Sequence, residues 1–365
     1  MNRNQASCPA TKEIMKFLFL TSGRRTPSTR FRMLPFEQPL RNAGHVCHLA
    51  HSFPEKYDYF PWLGFRPSQW LKRLTRRLHL LRTKWGRYDV VVLERELFDN
   101  ASWDLEADLR RMTKTLVLDI DDGVFLKFPD KFARLLEMVD LVVVGNPLLE
   151  QWARTSHEHV VVIPTCIDTT AYQPRAVARA ANVRPVIGWM GTAGNIVYLK
   201  VLAEALRNLA RIHDFEFQVI ATHRGMLDEL ELDGVRVRFR PWNPETEAAD
   251  IRDFDIGVMP LSDDQWSRYK CGLKLLQYMA VGIPGVASPV GVNASIVTPG
   301  VDGYLANRAE EWEAALAGLL EDAALRQAIG LRARQTVVES YSIAANLPRW
   351  LAAVQQTVER TAGAG

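Results

Sequence analysis

The sequence predicts an α/β protein of two Rossmann-like domains whose parallel sheets face each other across a cleft. Short runs of Val, Ile and Leu alternate with longer amphipathic segments, the pattern of strands buried on both faces and covered by helices. At 365 residues the chain exceeds what one core ordinarily holds, so two domains are expected. The strand runs also fall into two series, separated at 168–184 by a proline- and alanine-containing stretch without a strand pattern.

The expected strands of the first series are 16–22, 45–50, 89–94, 115–121, 141–145 and 160–164. Those of the second are 186–190, 217–221, 235–239, 256–260 and 285–288. Helical spacing of apolar residues appears at 197–213, 274–281, 310–320, 323–339 and 343–361. The domains are therefore placed at 16–175 and 176–342, after a variable segment 1–15, with 343–365 as a final helix crossing back to the first domain. Ligands of doubly wound sheets bind beyond the carboxyl ends of the strands, so the loops there are the candidates for chemistry.

Composition narrows the function. With 47% hydrophobic and 24% charged residues the chain is globular. A formal charge of +3 is too small for a nucleic-acid partner. Cys8, Cys47, Cys166 and Cys271 form no C-x-x-C pair, so neither a disulfide framework nor a zinc site is expected, and reduced thiols suit the cytoplasm. The apolar run 17–20 is too short for a leader, and nothing approaches the roughly 18–20 apolar residues of a membrane-spanning helix.

Three loops share the order strand, glycine turn, helix: one at Gly23, one at Gly191-Thr192-Ala193-Gly194-Asn195, and one at Gly291-Val292-Asn293. Each reads either as a tight turn or as a phosphate cradle, in which glycine admits the anion to backbone N–H groups at a helix start. Three together favour a diphosphate held between domains. The dinucleotide fingerprint G-x-G-x-x-G is absent from all three, against a nicotinamide enzyme.

The most specific block is 269–280, YKCGLKLLQYMA, followed by VGIPGVAS at 281–288. It resembles the donor-binding signature of glycosyltransferase family 4, retaining enzymes of the GT-B fold. Phe254-Asp255-Ile256-Gly257 before it, the TPGVDGYL hairpin at 298–305, STRFR at 28–32, LRNAGH at 40–45 and VIPTCID at 162–168 are similar to further family segments, in the family's order. The resemblance implies transfer of a sugar from a nucleoside diphosphate sugar, of UDP or GDP type, to a glycan or lipid-linked hydroxyl. The donor is then a substrate, and no cofactor or metal is expected. Tyr269 and Gln277 stand where the family carries two glutamates, which leaves a noncatalytic nucleotide-sugar-binding protein as the alternative.

The glycine loops and the resemblance together assign Gly23, Gly191, Thr192, Lys270, Lys274, Gln277, Gly291, Val292 and Asn293 to the donor; the family's basic pair after the Gly191 loop is missing. Lys270 and Lys274, one helical turn apart, are candidates to hold the diphosphate. Asp119, Asp121 and Asp122 end a buried strand; Asp121 aligns with a family histidine beside the donor sugar and is the catalytic candidate. The same aspartates also read as helix caps, partners of nearby arginines or, last, magnesium ligands. Arg30, Arg32 and Asp122 are assigned to the acceptor or diphosphate side.

Residues 66–87 hold eight Lys or Arg and no acid, interleaved with Trp70, Leu71, Leu74, Leu78, Leu80, Leu81 and Trp85. This reads equally as a solvated helix on the sheet or as a contact with anionic lipid through Arg73, Arg76 and Arg77, at the inner face of the membrane.

Overall fold

A computed structural model describes residues 14–176 and 184–363, so most of the segment 1–15 and residues 177–183 of the proposed linker lie outside the described residues. The first sheet contains β1 (Lys16–Thr21), β2 (Val46–His51), β3 (Val90–Glu94), β4 (Thr115–Ile120), β5 (Leu141–Val144) and β6 (Val160–Val162), in the order β2-β1-β3-β4-β5-β6. The second contains β7 (Val186–Met190), β8 (Glu216–Ala221), β9 (Val237–Pro241), β10 (Ile256–Met259), β11 (Gly285–Ala287) and β12 (Gly303–Leu305), in the order β12-β11-β10-β7-β8-β9. Every pairing between these strands is parallel.

Alternation along each strand feeds two cores per sheet. Leu18, Leu20, Val91, Leu93, Leu116 and Leu118 face one layer of helices, and Phe17, Phe19, Val90, Val92 and Val117 the other. The interior strands β3, β4, β5, β7 and β10 are buried throughout, whereas the edge strands β2 and β9 are half exposed. The helix Ile343–Gly363 lies on the first sheet: Trp350 stacks on Phe36 with ring centroids 5.5 Å apart and tilts against Phe17 at 5.8 Å.

Three elements depart from the sequence pattern. The helix expected over 197–213 is a 3-10 segment, Ala193–Leu202, followed by an α-helix confined to Ala203–Ala210. Ala193, Ile196, Leu199 and Leu202 are its buried residues, and a repeat of three matches a 3-10 helix rather than an α-helix. The strand expected at 235–239 starts two residues later, because Val235 donates its N–H to Leu232 in a turn around Gly234. The 298–305 hairpin ends in a twelfth strand, β12, paired with β11.

In both sheets the order reverses at the first strand, between β1 and β3 and between β7 and β10. Neighbouring connections leave in opposite directions there and open a crevice at the carboxyl ends. The two crevices face each other, and the candidate site lies between them.

Candidate functional site

A cavity of about 450 Å³ separates the domains, within the range of small-molecule sites. From the first domain it is lined by the turn after β1 (Arg25, Ser28, Arg30, Phe31), by Tyr57, by Arg95 after β3, and by Asp121 and Asp122 after β4. From the second come Gly191 and Thr192 after β7, Trp242 and Glu247 after β9, and Lys270, Lys274 and Gln277 after β10.

The acidic floor is organised by Arg95, whose backbone is left-handed at φ 58°. Its Nε donates to Asp121 Oδ1 at 2.6 Å, one terminal nitrogen to Asp122 Oδ2 at 2.9 Å, and the other to the Tyr57 hydroxyl at 3.1 Å. Burial alone would raise Asp121, but the Arg95 guanidinium, aided by Arg32, holds its carboxyl below the usual range. Asp122 moves the other way: burial and the neighbouring Asp121 charge raise it, against the pull of Arg95, Lys270 and Lys274. Of the alternatives for this acidic strand end, pairing with arginine is the one realised. Among the described residues no cluster of three or more His, Cys, Asp or Glu is arranged to hold a metal.

Facing this floor, Gly272 takes a left-handed φ of 68° and starts the helix Leu273–Ala280, which carries Lys274 and Gln277. The Lys274 ammonium lies over the Trp189 ring at 5.8 Å, and Lys270 over Tyr198 at 5.5 Å. Burial and the Lys270 charge, partly offset by Asp122, lower Lys274 to about 7. A Cβ on Gly191 would stand 2.6 Å from the Trp189 ring and 2.8 Å from Lys274 Cε, so only glycine admits this approach. The Gly191 N–H donates to Ile220 and is engaged within the sheet.

Glu247, which the sequence reading did not single out, joins the two halves. It sits 2% exposed at the start of a short helix after β9. It accepts from Arg30 at 2.6 Å, Tyr172 at 2.5 Å, Trp242 Nε1 at 2.7 Å and Gln277 Nε2 at 2.5 Å. The only signal available in the sequence was a carboxylate beyond a strand's carboxyl end. Arg30 therefore borders the cavity with its charge already bridged across the domains. The Gln277 amide nitrogen is likewise engaged, leaving its carbonyl oxygen as the acceptor.

Restoring glutamate at 277 would set two buried carboxylates against each other. Gln277→Glu is expected to destabilise the fold by about 3 kcal/mol near neutral pH, an effect that shrinks on acidification as one carboxyl takes a proton. Urea unfolding across pH measures this; a variant as stable as the parent at pH 8 would contradict the geometry.

Several sequence assignments are corrected. Arg32 is buried and bonds Asp119 through two nitrogens, at 2.5 and 2.9 Å, and Ile163 O at 3.0 Å, so it is a structural ion pair beneath the site. The turn at Gly23 already holds an anion of the protein's own: Arg25 N–H donates to Glu55, whose carboxyl fills the space of a Gly23 Cβ. The Gly291-Val292-Asn293 loop backs the cavity wall rather than forming it. Gly291 lies against the Arg268 carbonyl at φ 57°, Val292 packs behind Gly272, and buried Asn293 donates to Ser288 O. Tyr269 turns out of the cavity onto Phe125, centroids 5.0 Å apart, and its carbonyl accepts from Asn146 across the interface.

The basic helix spans Phe65–Gly86. Arg76 is not on its outer face: it is 1% exposed and donates to Leu97 O at 2.9 Å and Thr21 O at 2.8 Å. Arg73 is paired with Asp104, leaving Arg77 as the exposed member of the three. No helix among the described residues is long and apolar enough to cross a membrane.

Residues 184–322 match the family model described as glycosyl transferases group 1. No curated protein matches the chain by sequence. Among solved structures, a sucrose-phosphate synthase from Thermosynechococcus elongatus superposes with a TM-score of 0.70 at 17% identity, covering 94% of this chain and 98% of that one. A glycosyltransferase from Rickettsia africae gives 0.67 at 14%, covering 94% and 99%. The Anabaena protein HepE in complex with UDP gives 0.65 at 14%, covering 94% and 100%. The chain is thus a GT-B-fold protein whose second domain matches the glycosyl transferases group 1 family.

Proposed function

We propose that the chain transfers a sugar from a nucleoside diphosphate sugar to a hydroxyl acceptor, a glycan or a lipid-linked one, with retention at the anomeric carbon. The observation that carries this reading is the opposition, across one cavity, of Lys270 and Lys274, the latter beside Gly191, and an Arg95-held pair of aspartates. Lys270 and Lys274 neutralise the diphosphate as the bond from the anomeric carbon to the phosphate oxygen breaks and that oxygen takes the electron pair. The acceptor oxygen forms the new bond on the same face, and its proton is released with the nucleoside diphosphate. Asp121 accepts a hydrogen bond from the acceptor hydroxyl or the donor sugar and fixes its position. The family match and the UDP-bound HepE make UDP sugars the first donors to test.

Tyr269 facing away from the cavity and Gln277 held by Glu247 favour a second reading, a nucleotide-sugar-binding protein without turnover. Calorimetry with UDP and GDP, followed by donor turnover over an acceptor panel, separates the two: binding and transfer support the enzyme, binding alone the second reading, and no binding refutes both. Asp121→Asn is expected to lower turnover by about 10- to 100-fold while donor affinity changes less than about two-fold. Unchanged turnover would reduce Asp121 to a partner of Arg95.

A further inference from the structure

A surface helix normally turns its apolar stripe inward. The helix Phe65–Gly86 does the reverse. Its buried residues are Ser68, Lys72, Arg76, Leu80 and Thr83. The two buried cations donate to carbonyls, Lys72 to those of Lys56 at 2.6 Å and Asp58 at 3.1 Å, and Arg76, through two of its three nitrogens, to those of Leu97 and Thr21. Trp70, Leu74, Leu78, Leu81 and Trp85 lie outward, with Trp70 68% and Trp85 74% exposed. At about 100° per residue these five fall within an arc of about 80° opposite the buried face. Arg66, Arg77 and Lys84, all exposed, follow one margin of that arc, and Arg82 the other.

The preceding segment extends the patch. Trp62 is 79% exposed, Phe53, Tyr59 and Phe65 are exposed as well, and Lys72 and Ser68 tie the segment to the helix. Its Tyr57 reaches the cavity, where its hydroxyl meets Arg95. The segment that carries part of the exposed apolar surface thus also reaches the cavity, through Tyr57.

We propose that this face docks on an anionic lipid bilayer. Contiguous exposed apolar side chains mark an interaction surface. Tryptophan beside leucine with cations along both margins matches the boundary between acyl chains and negative headgroups. Charge decides against a second copy of the chain, which would bring Arg66, Arg77 and Lys84 of one face against the same cations of the other. Docking would hold the mouth of the cavity at the membrane plane, where a lipid-anchored hydroxyl is presented. The proposal does not depend on sugar transfer: vesicle binding without nucleotide binding would leave it standing and refute the proposed function instead.

The test is co-sedimentation of the full chain with vesicles of phosphatidylglycerol and phosphatidylcholine in equal parts, and of phosphatidylcholine alone, at low and high salt. Binding is expected to the anionic vesicles at low salt and to weaken with salt. Arg77→Glu with Lys84→Glu is expected to lower the partition at least about 25-fold, from about five-fold per basic residue. Trp70→Ser with Trp85→Ser should lower it at every salt concentration. All four side chains are exposed, so both variants should keep the parent's unfolding midpoint. Absence of binding to anionic vesicles at low salt, or binding untouched by both variants, overturns the proposal. So does a concentration-dependent dimer in ultracentrifugation that Leu78→Glu dissociates, since a second copy would then cover the face.

Discussion

Lys274→Ala is expected to weaken binding of UDP or GDP by about 1.5–3 kcal/mol, some 10- to 150-fold, while leaving the free nucleoside nearly unaffected. The ammonium is one charge-assisted contact, and its place between Trp189 and the Gly191 turn leaves it little freedom to lose on binding. The pH dependence is more specific. Lys274 is lowered to about 7 by burial and by Lys270, so near neutral pH a large fraction of the unliganded protein carries it as the amine. A bound diphosphate favours the ammonium, so binding takes up a proton. Affinity is expected to fall as pH rises through about 7, and the fall should vanish in Lys274→Ala. The same shift acts on stability: a lysine lowered on folding leaves the unfolded chain with more bound protons between about 7 and 10.4, so stability of the unliganded protein rises with pH across that window. Calorimetry of UDP and GDP at several pH values, in buffers of different ionisation enthalpy, measures the proton uptake. Equal affinity of parent and variant would remove Lys274 from the site.

Arg32→Ala is expected to cost about 3–5 kcal/mol of stability, with little direct effect on nucleotide contacts. Arg32 and Asp119 are 3% and 2% exposed and bonded through two nitrogens, so removing the arginine strands a carboxylate in the core between β4 and the turn after β1. Replacing both with leucine is expected to recover much of the loss, because a buried pair exchanged for apolar side chains leaves no lone charge. Urea unfolding of parent, single and double variants gives the comparison. A loss below about 1 kcal/mol, together with weakened nucleotide affinity, would return Arg32 to the ligand side.

Arg30 and Arg32 mark the limit of what the sequence shows. The strands were legible because a parallel strand buried on both faces must be written as an apolar run, and Leu116–Leu118 or Val142–Val144 have no other soluble solution. The same reasoning located the loops that carry Asp121, Lys270 and Lys274, since strand order places ligands at carboxyl ends. Partnership was not legible. Arg30 and Arg32 are two residues apart in one segment, yet one reaches across the cleft to Glu247 and the other is buried under the site on Asp119. The carboxylate each arginine meets, not its residue type, separates the one at the cleft from the one beneath the site.

The helix Phe65–Gly86 makes the point again. Its sequence contained both a stripe of Trp and Leu and a set of cations, and nothing local states which of them faces the sheet. Carbonyls of Lys56, Asp58, Leu97 and Thr21, brought together by the fold, accept Lys72 and Arg76 and turn the apolar stripe to the outside. Likewise Glu247, 30 residues from Gln277 and 217 from Arg30, meets both only once two sheets are closed on each other. Periodicity and strand-end position are local and so were set by the sequence itself. Which charge meets which is a long-range matter of desolvation and geometry, and the tertiary structure alone decided it.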